Sequence, residues 1–198
     1  MMAKQPRADA RRNRARVLEV AAEVFATEGL SVPVHEIARR AGVGTGTVSR
    51  HFPTKQELFA AILLQRLEQL IAEAELLAEE QEPGPAFFTF FATLIREGAA
   101  NRGLAEALAG AGYDLESAAE TAGLDLTGGL SALLTRAQEA GSVRPDVDYA
   151  DVKALMNGCL TRTGAGTGTD PEADAAALDH LTAVVCDGLR SRAGSTAD

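Results

Sequence analysis

Apolar residues recur along this chain at intervals of three and four, and no stretch shows the alternation of a half-buried strand. Between residues 9 and 28, Val17, Leu18, Ala21, Ala22, Val24 and Phe25 mark one face of an amphipathic helix, and Gly29 is its stop. Pro33 suits the first turn of a second helix, where its missing N–H costs nothing. Ile37, Ala38 and Ala41 give that helix an inward face, with Arg39 and Arg40 pointing elsewhere. Gly42 supplies the permissive backbone of a sharp turn and Val43 reads as a buried plug within it. A third short helix follows over 45–52. Pro53 ends it, because a residue before proline is pushed out of the α region.

Thr54 and Glu57 form a T-x-x-E capping box opening a long helix. Its stripe runs through Leu58, Phe59, Ile62, Leu63, Leu67, Leu70, Ile71, Ala74, Leu77 and Ala78. Continued to Glu80 it is about 39 Å long at about 1.5 Å per residue, enough to belong to two domains. Pro83, Gly84 and Pro85 break the chain. The pattern then predicts helices over 85–101, 104–109, 115–140 with an interruption near Gly123, 149–162 and 171–192, the last two separated by the run GAGTGTD. The expected fold is all-α, with about nine helices and no internal repeat.

Composition changes this picture in two places. No apolar run reaches 18 residues, which argues against a spanning helix. The N-terminal Lys and Arg residues imitate a signal peptide, but Glu19, Glu23 and Glu28 interrupt the apolar region at helical spacing, so a cytoplasmic protein is expected. The net charge of −9 conceals an asymmetry: residues 1–66 hold 11 Lys and Arg against 6 Asp and Glu, and residues 67–198 hold 8 against 22. A basic front is what a polyanion selects. Cys159 and Cys186 sit in apolar helical contexts without metal-like spacing and read as buried free thiols.

The strongest motif is the helix, turn and helix over 34–52. A short helix set crosswise on another can present its N-terminal residues to base edges in the major groove. Thr45, Gly46, Thr47 and Ser49 are small enough for close approach, while Arg50, His51 and Lys55 add donors at the far end. Geometry alone also allows an ordinary helical hairpin with a solvated basic face. The string from Glu36 to Phe59, EIARRAGVGTGTVSRHFPTKQELF, resembles the DNA-binding domain of the TetR (tetracycline repressor) family of bacterial transcription regulators, the likeness covering roughly residues 12–60. It departs at Ser49, where the family commonly has a tyrosine on the DNA backbone.

The resemblance implies that Thr45, Thr47 and Val48 face bases, that His51 and Lys55 hold phosphates, that Arg50 does either, and that Val34 and His35 add backbone contacts. Arg12 belongs to an Arg-rich arm, Arg7 to Arg16, which is either a minor-groove contact or a solubilising tail. The resemblance further implies a DNA-binding domain over 1–54, with its basic arm at 1–10, and an effector-binding and dimerisation domain over 55–198. In the latter, Leu63, Leu67, Phe88, Phe91, Tyr113 and Leu134 are candidates for an effector pocket. The cluster Phe87 to Phe91 reads first as core packing, with the pocket as the alternative. The stripes Val152, Leu155, Met156, Cys159 and Leu178, Leu181, Val185, Leu189 either close the body's own core or meet a second copy in a homodimer.

Other chemistry finds little support. Two runs of alternating glycines follow no strand and complete no dinucleotide fingerprint. His35, His51 and His180 are isolated, Ser131 lies in no nucleophile elbow, and neither a metal, a cofactor nor a catalytic residue is expected. The expected function is a dimeric, ligand-responsive repressor acting on a double-stranded DNA operator, away from membranes, with a small-molecule effector. The alternative is a helical ligand-binding or interaction module whose basic front meets an acidic partner.

Overall fold

The computed structural model describes residues 5–164 and 171–191, and the expected linker at 165–170 lies outside them. Ten helices occur among the described residues and no strand: α1 (Gln5–Glu28), α2 (Val34–Arg40), α3 (Thr45–His51), α4 (Lys55–Glu80), α5 (Pro83–Ala100), α6 (Arg102–Gly110), α7 (Leu115–Thr121), α8 (Leu126–Glu139), α9 (Tyr149–Gly164) and α10 (Pro171–Leu189). The all-α expectation is met. The count exceeds nine because the predicted 115–140 helix is two. Gly123 takes φ +72°, a left-handed conformation that an α-helix cannot continue through, and Asp125 caps α8 by accepting from Gly128 N at 2.7 Å. Pro83 does not precede the helix at 85 but starts it, at the position where a proline needs no N–H partner. The Arg-rich segment is likewise no extended arm, since α1 is helical from Gln5.

The chain forms two compact units. Met1–Leu67 and Asn101–Gly123 make the first, Glu68–Ala100 and Leu124–Asp198 the second. The expected boundary at residue 54 falls inside the first of these units. In the first unit α1 supplies Val17, Leu18, Ala21, Val24 and Phe25 to a core shared with Ile37, Ala38, Val48, Phe52 and the start of α4. Phe25 and Phe59 meet edge to face at 5.0 Å. Leu104 and Leu108 of α6 complete that core, with Tyr113 and Leu115 partly buried against it.

The second unit is built on α5, whose Phe87, Phe90 and Phe91 are fully buried among residues of α4, α8, α9 and α10. The end of α10 is tied down by backbone: Arg144 N donates to Leu189 O at 3.0 Å and Ser191 N to Ser142 O at 3.1 Å. The Arg190 guanidinium lies 4.4 Å over the Phe88 ring. Cys159 and Cys186 are free and buried in this core, as expected, and burial pushes both thiols above their ordinary range. Thus Phe88, Phe91 and Leu134 belong to the core of the second unit, and Leu63 to that of the first. Phe91→Ala should lower the unfolding free energy by about 3–5 kcal/mol, read by urea denaturation, because it leaves a cavity where packing is tight.

Candidate nucleic-acid interface

The turn between α2 and α3 is fixed by its own backbone. Gly42 takes φ +65°, and its N–H donates to Arg39 O at 3.2 Å while Val43 N donates to Ala38 O at 3.0 Å. This is a Schellman closure, with Val43 as its partly buried apolar plug. Gly44 then turns the chain into α3, accepting from Thr47 N at 2.8 Å. Val48, wholly buried, locks α3 onto α1 and α2.

That anchoring decides which α3 residues face outward. Thr45, Gly46, Ser49 and Arg50 are exposed, and Thr47 and His51 are half-buried. Val48 was expected to face bases and does not, because its side chain is the one that holds the helix to the core. Gly46 has open space where a Cβ would project. Arg50 Nε donates back to Gly46 O at 2.9 Å, leaving the rest of its guanidinium forward of the helix. At the start of α2, His35 is exposed and Val34 is half-buried against the core.

Lys55 has a structural part that its place in the motif does not reveal. Its ammonium donates to Leu30 O, and to Val32 O at 3.0 Å, and lies 5.5 Å and 5.8 Å from the Phe25 and Phe59 ring centres. These bonds fasten the start of α4 to the link between α1 and α2 and take up two of the three ammonium donors. Thr54 supports the same helix start by accepting from Glu57 N at 3.1 Å.

A charge network ties α2 to the end of α1. Glu36 accepts from Arg39 at 2.6 and 2.8 Å and from Arg40 at 2.8 Å, while Arg40 also holds Glu28. The hydrogen bonds from Arg39 and then Arg40 hold the Glu36 carboxyl down at about 2, and Arg40 lowers that of Glu28. Arg12 pairs with Asp9 on the exposed side of α1.

Of the expected effector residues, Leu67 and Tyr113 are half-buried in the first unit, and the others pack in the cores already described. The second unit has a half-open cleft of about 160 Å³ between α4 and α8. Ile71, Ala74, Ala78, Gly129, Ala132 and Leu133 form its apolar wall, and Glu75, Asp125 and Arg136 its charged rim. Arg136 Nη1 donates to Ala78 O at 2.7 Å across it. Sequence periodicity missed the cleft because its floor is made of alanine and glycine, which carry little hydrophobic signal.

The candidates for a contact between copies also separate. Val152, Cys159, Leu178 and Leu189 are buried in the chain's own core and are unavailable to a second copy. Leu155 is 38% exposed, while Met156, Leu181 and Val185 are half-buried. Val184, 53% exposed on α10, was not among the candidates. No described helix is long and apolar enough to cross a membrane.

Comparison with known proteins agrees with this geometry. Residues 17–62 match the family described as bacterial regulatory proteins, tetR family. Residues 82–191 match the transcriptional regulator SbtR-like C-terminal domain. A TetR transcription regulatory protein from Mycobacterium vanbaalenii is 47% identical at TM-score 0.73, covering 93% of this chain and 98% of that one. The TetR transcriptional regulator SCO0520 from Streptomyces coelicolor is 30% identical at TM-score 0.73, covering 91% and 99%. The HTH-type transcriptional regulator SrpR of Pseudomonas putida is 40% identical over 70 residues, so the match spans 35% of this chain and 33% of that regulator.

Two measurements check the internal contacts. Lys55→Met should cost about 2 kcal/mol in chemical denaturation, since it removes charge-assisted hydrogen bonds to two carbonyls. Because the folded-state value of Glu36 is depressed, its stabilisation is present above the ordinary value of 4.5 and is lost as pH falls towards about 2. Thermal melts of wild type and Glu36→Gln should therefore differ near neutrality and converge across that interval. The difference should be small and shrink with salt, as for any exposed network.

Proposed function

We propose, since this chain belongs to the TetR family of bacterial transcriptional regulators, that it works as a homodimeric repressor released from a palindromic operator by a small-molecule effector. The observation that carries the reading is the outward face of α3. Four consecutive-turn positions, Thr45, Gly46, Ser49 and Arg50, are exposed on a helix held rigidly from behind by Val48. In the major groove, Thr45, Thr47 and Ser49 reach base edges, His35 and His51 serve phosphates, and Arg50 contacts either. Ser49 shortens the reach that the family's tyrosine gives, and the shift of grip falls on neighbouring residues.

The homodimer supports two copies of α3 at a spacing of about one DNA turn, roughly 34–36 Å. The exposed apolar positions of α9 and α10, Leu155 and Val184, with half-buried Met156, Leu181 and Val185 beside them, suit that contact. The effector occupies the cleft between α4 and α8. A cavity of about 150 Å³ admits a single aromatic ring, so a body of that size fits, with its polar group at the charged rim. Because α4 continues from that cleft into the reading unit, a bound effector can shift the reading unit's equilibrium. A coupling of about 1–3 kcal/mol is enough for regulation.

Electrophoretic mobility and footprinting on the DNA flanking the gene test this. A twofold-symmetric footprint of roughly 15–20 base pairs is expected, with affinity falling as salt rises. Binding without sequence preference would instead support an interaction module for acidic partners. Thr47→Ala should weaken operator binding by about tenfold, about 1.4 kcal/mol. Gly46→Ala should leave the fold intact or stabilise it by up to about 1 kcal/mol, from helix propensity in open space, and still weaken operator binding. Unchanged affinity in both variants would remove α3 from the interface.

A further inference from the structure

We propose that Arg14 and Arg16, in the first half of α1, grip DNA phosphates at the two ends of α3. This rests on the reading that the first unit binds duplex DNA, and assigns two residues of the Arg-rich segment to phosphates beside α3 in place of an extended minor-groove arm. Most other cations near α3 are committed within the protein. Arg39 and Arg40 are held by Glu36 and Glu28, Lys55 by two carbonyls, and Arg12 by Asp9. Arg14 and Arg16 are exposed and have no carboxylate partner among the described residues.

Their positions bracket the reading helix. The Arg14 guanidinium lies 5.4 Å over the ring of Phe52, the residue that caps the C-terminus of α3. Stacking on a ring face uses none of the five in-plane N–H donors, so the fork stays available. Arg16 lies at the other end, on the turn before α3. A Cβ at Gly42 would stand 2.8 Å from Arg16 Nη2, so the guanidinium occupies the space that this glycine leaves. Gly42 thus serves both the left-handed turn and the seat of Arg16.

Two oriented guanidinium groups beside the ends of a groove-reading helix have the geometry and charge to take phosphates bidentately. Their placement follows from α1 being helical here: an extended arm would carry these side chains away from α3, whereas the helix sets one against Phe52 and the other against Gly42.

The test is the salt dependence of binding to the duplex flanking the gene, for wild type, Arg14→Gln, Arg16→Gln and the double variant, with melting temperatures measured in parallel. Each lost phosphate contact should reduce the slope of log K against log salt by about 0.9 per protomer, and the double variant by about twice that. Melting temperatures should stay near wild type. Arg14→Lys and Arg16→Lys retain a cation and should retain most of the slope. An unchanged slope in the double variant, with wild type binding normally, overturns this inference alone. Lower stability with an unchanged slope does the same, because it assigns the arginines to packing. A wild-type protein that shows no salt-dependent duplex binding overturns the DNA-binding reading as well. Should the Gln variants not fold, the Lys variants decide through affinity at fixed salt: loss of the bidentate fork should weaken binding severalfold, and unchanged affinity in both would overturn the inference.

Discussion

Helix α4 buries Leu58, Phe59, Ala60, Ile62 and Leu63 in one core, and Leu70, Ala74 and Leu77 in another. Its register is therefore constrained in each unit by that unit's own buried neighbours. An interior helix position cannot slide without moving buried side chains on both sides, since cores are close-packed and respond in discrete rearrangements. The start of α4 is the most determined part. Thr54 caps it, Lys55 bonds to the carbonyls of Leu30 and Val32, and Phe59 meets Phe25. A displacement at that end must carry α1 and the α1–α2 link with it.

Several charges of the reading unit are used inwardly, beside the apolar core that anchors it. Glu36 and Glu28 draw Arg39 and Arg40 across the face between α1 and α2, and Lys55 closes the opposite edge. A unit whose sequence is basic thus presents fewer free cations than its composition suggests. What it offers a polyanion is selected by this pairing: a polar face on α3 with donors placed around it. Affinity from unselected positive charge is non-specific, and several of this unit's cations are paired within the fold instead.

The second unit separates its core from its cleft by residue size. Phenylalanines of α5 are buried in the interior. The cleft lies where α4 and α8 oppose alanine to glycine: a Cβ at Gly129 would stand 3.6 Å from that of Ala74. Larger residues at these positions would close it. The same economy appears on α9 and α10, where one side closes the unit's core through Val152, Cys159, Leu178 and Leu189 and the other leaves Leu155 and Val184 in solvent.

Local rules made much of this legible from sequence. Helical periodicity, Gly29, Gly42, Pro53 and the Thr54 cap place the first four helices, since each acts within a few residues of itself. The family string from Glu36 to Phe59 made the helix-turn-helix legible as well. The caps at Asp114 and Asp125 are written in the sequence as D-x-x-S and D-x-x-G, the first starting α7 and the second dividing the 115–140 stretch. Tertiary structure alone decided which of several equivalent apolar or basic residues does what. Val48 and Thr47 are neighbours in a motif, yet one is core and the other faces outward, because the crossing of α3 on α1 and α2 fixes its rotation. Lys55 reads as a free cation until the carbonyls of Leu30 and Val32 come within reach. Leu104 and Leu108 join the reading unit through contacts with residues far away in the chain, and no local pattern carries information about a partner that only folding brings near.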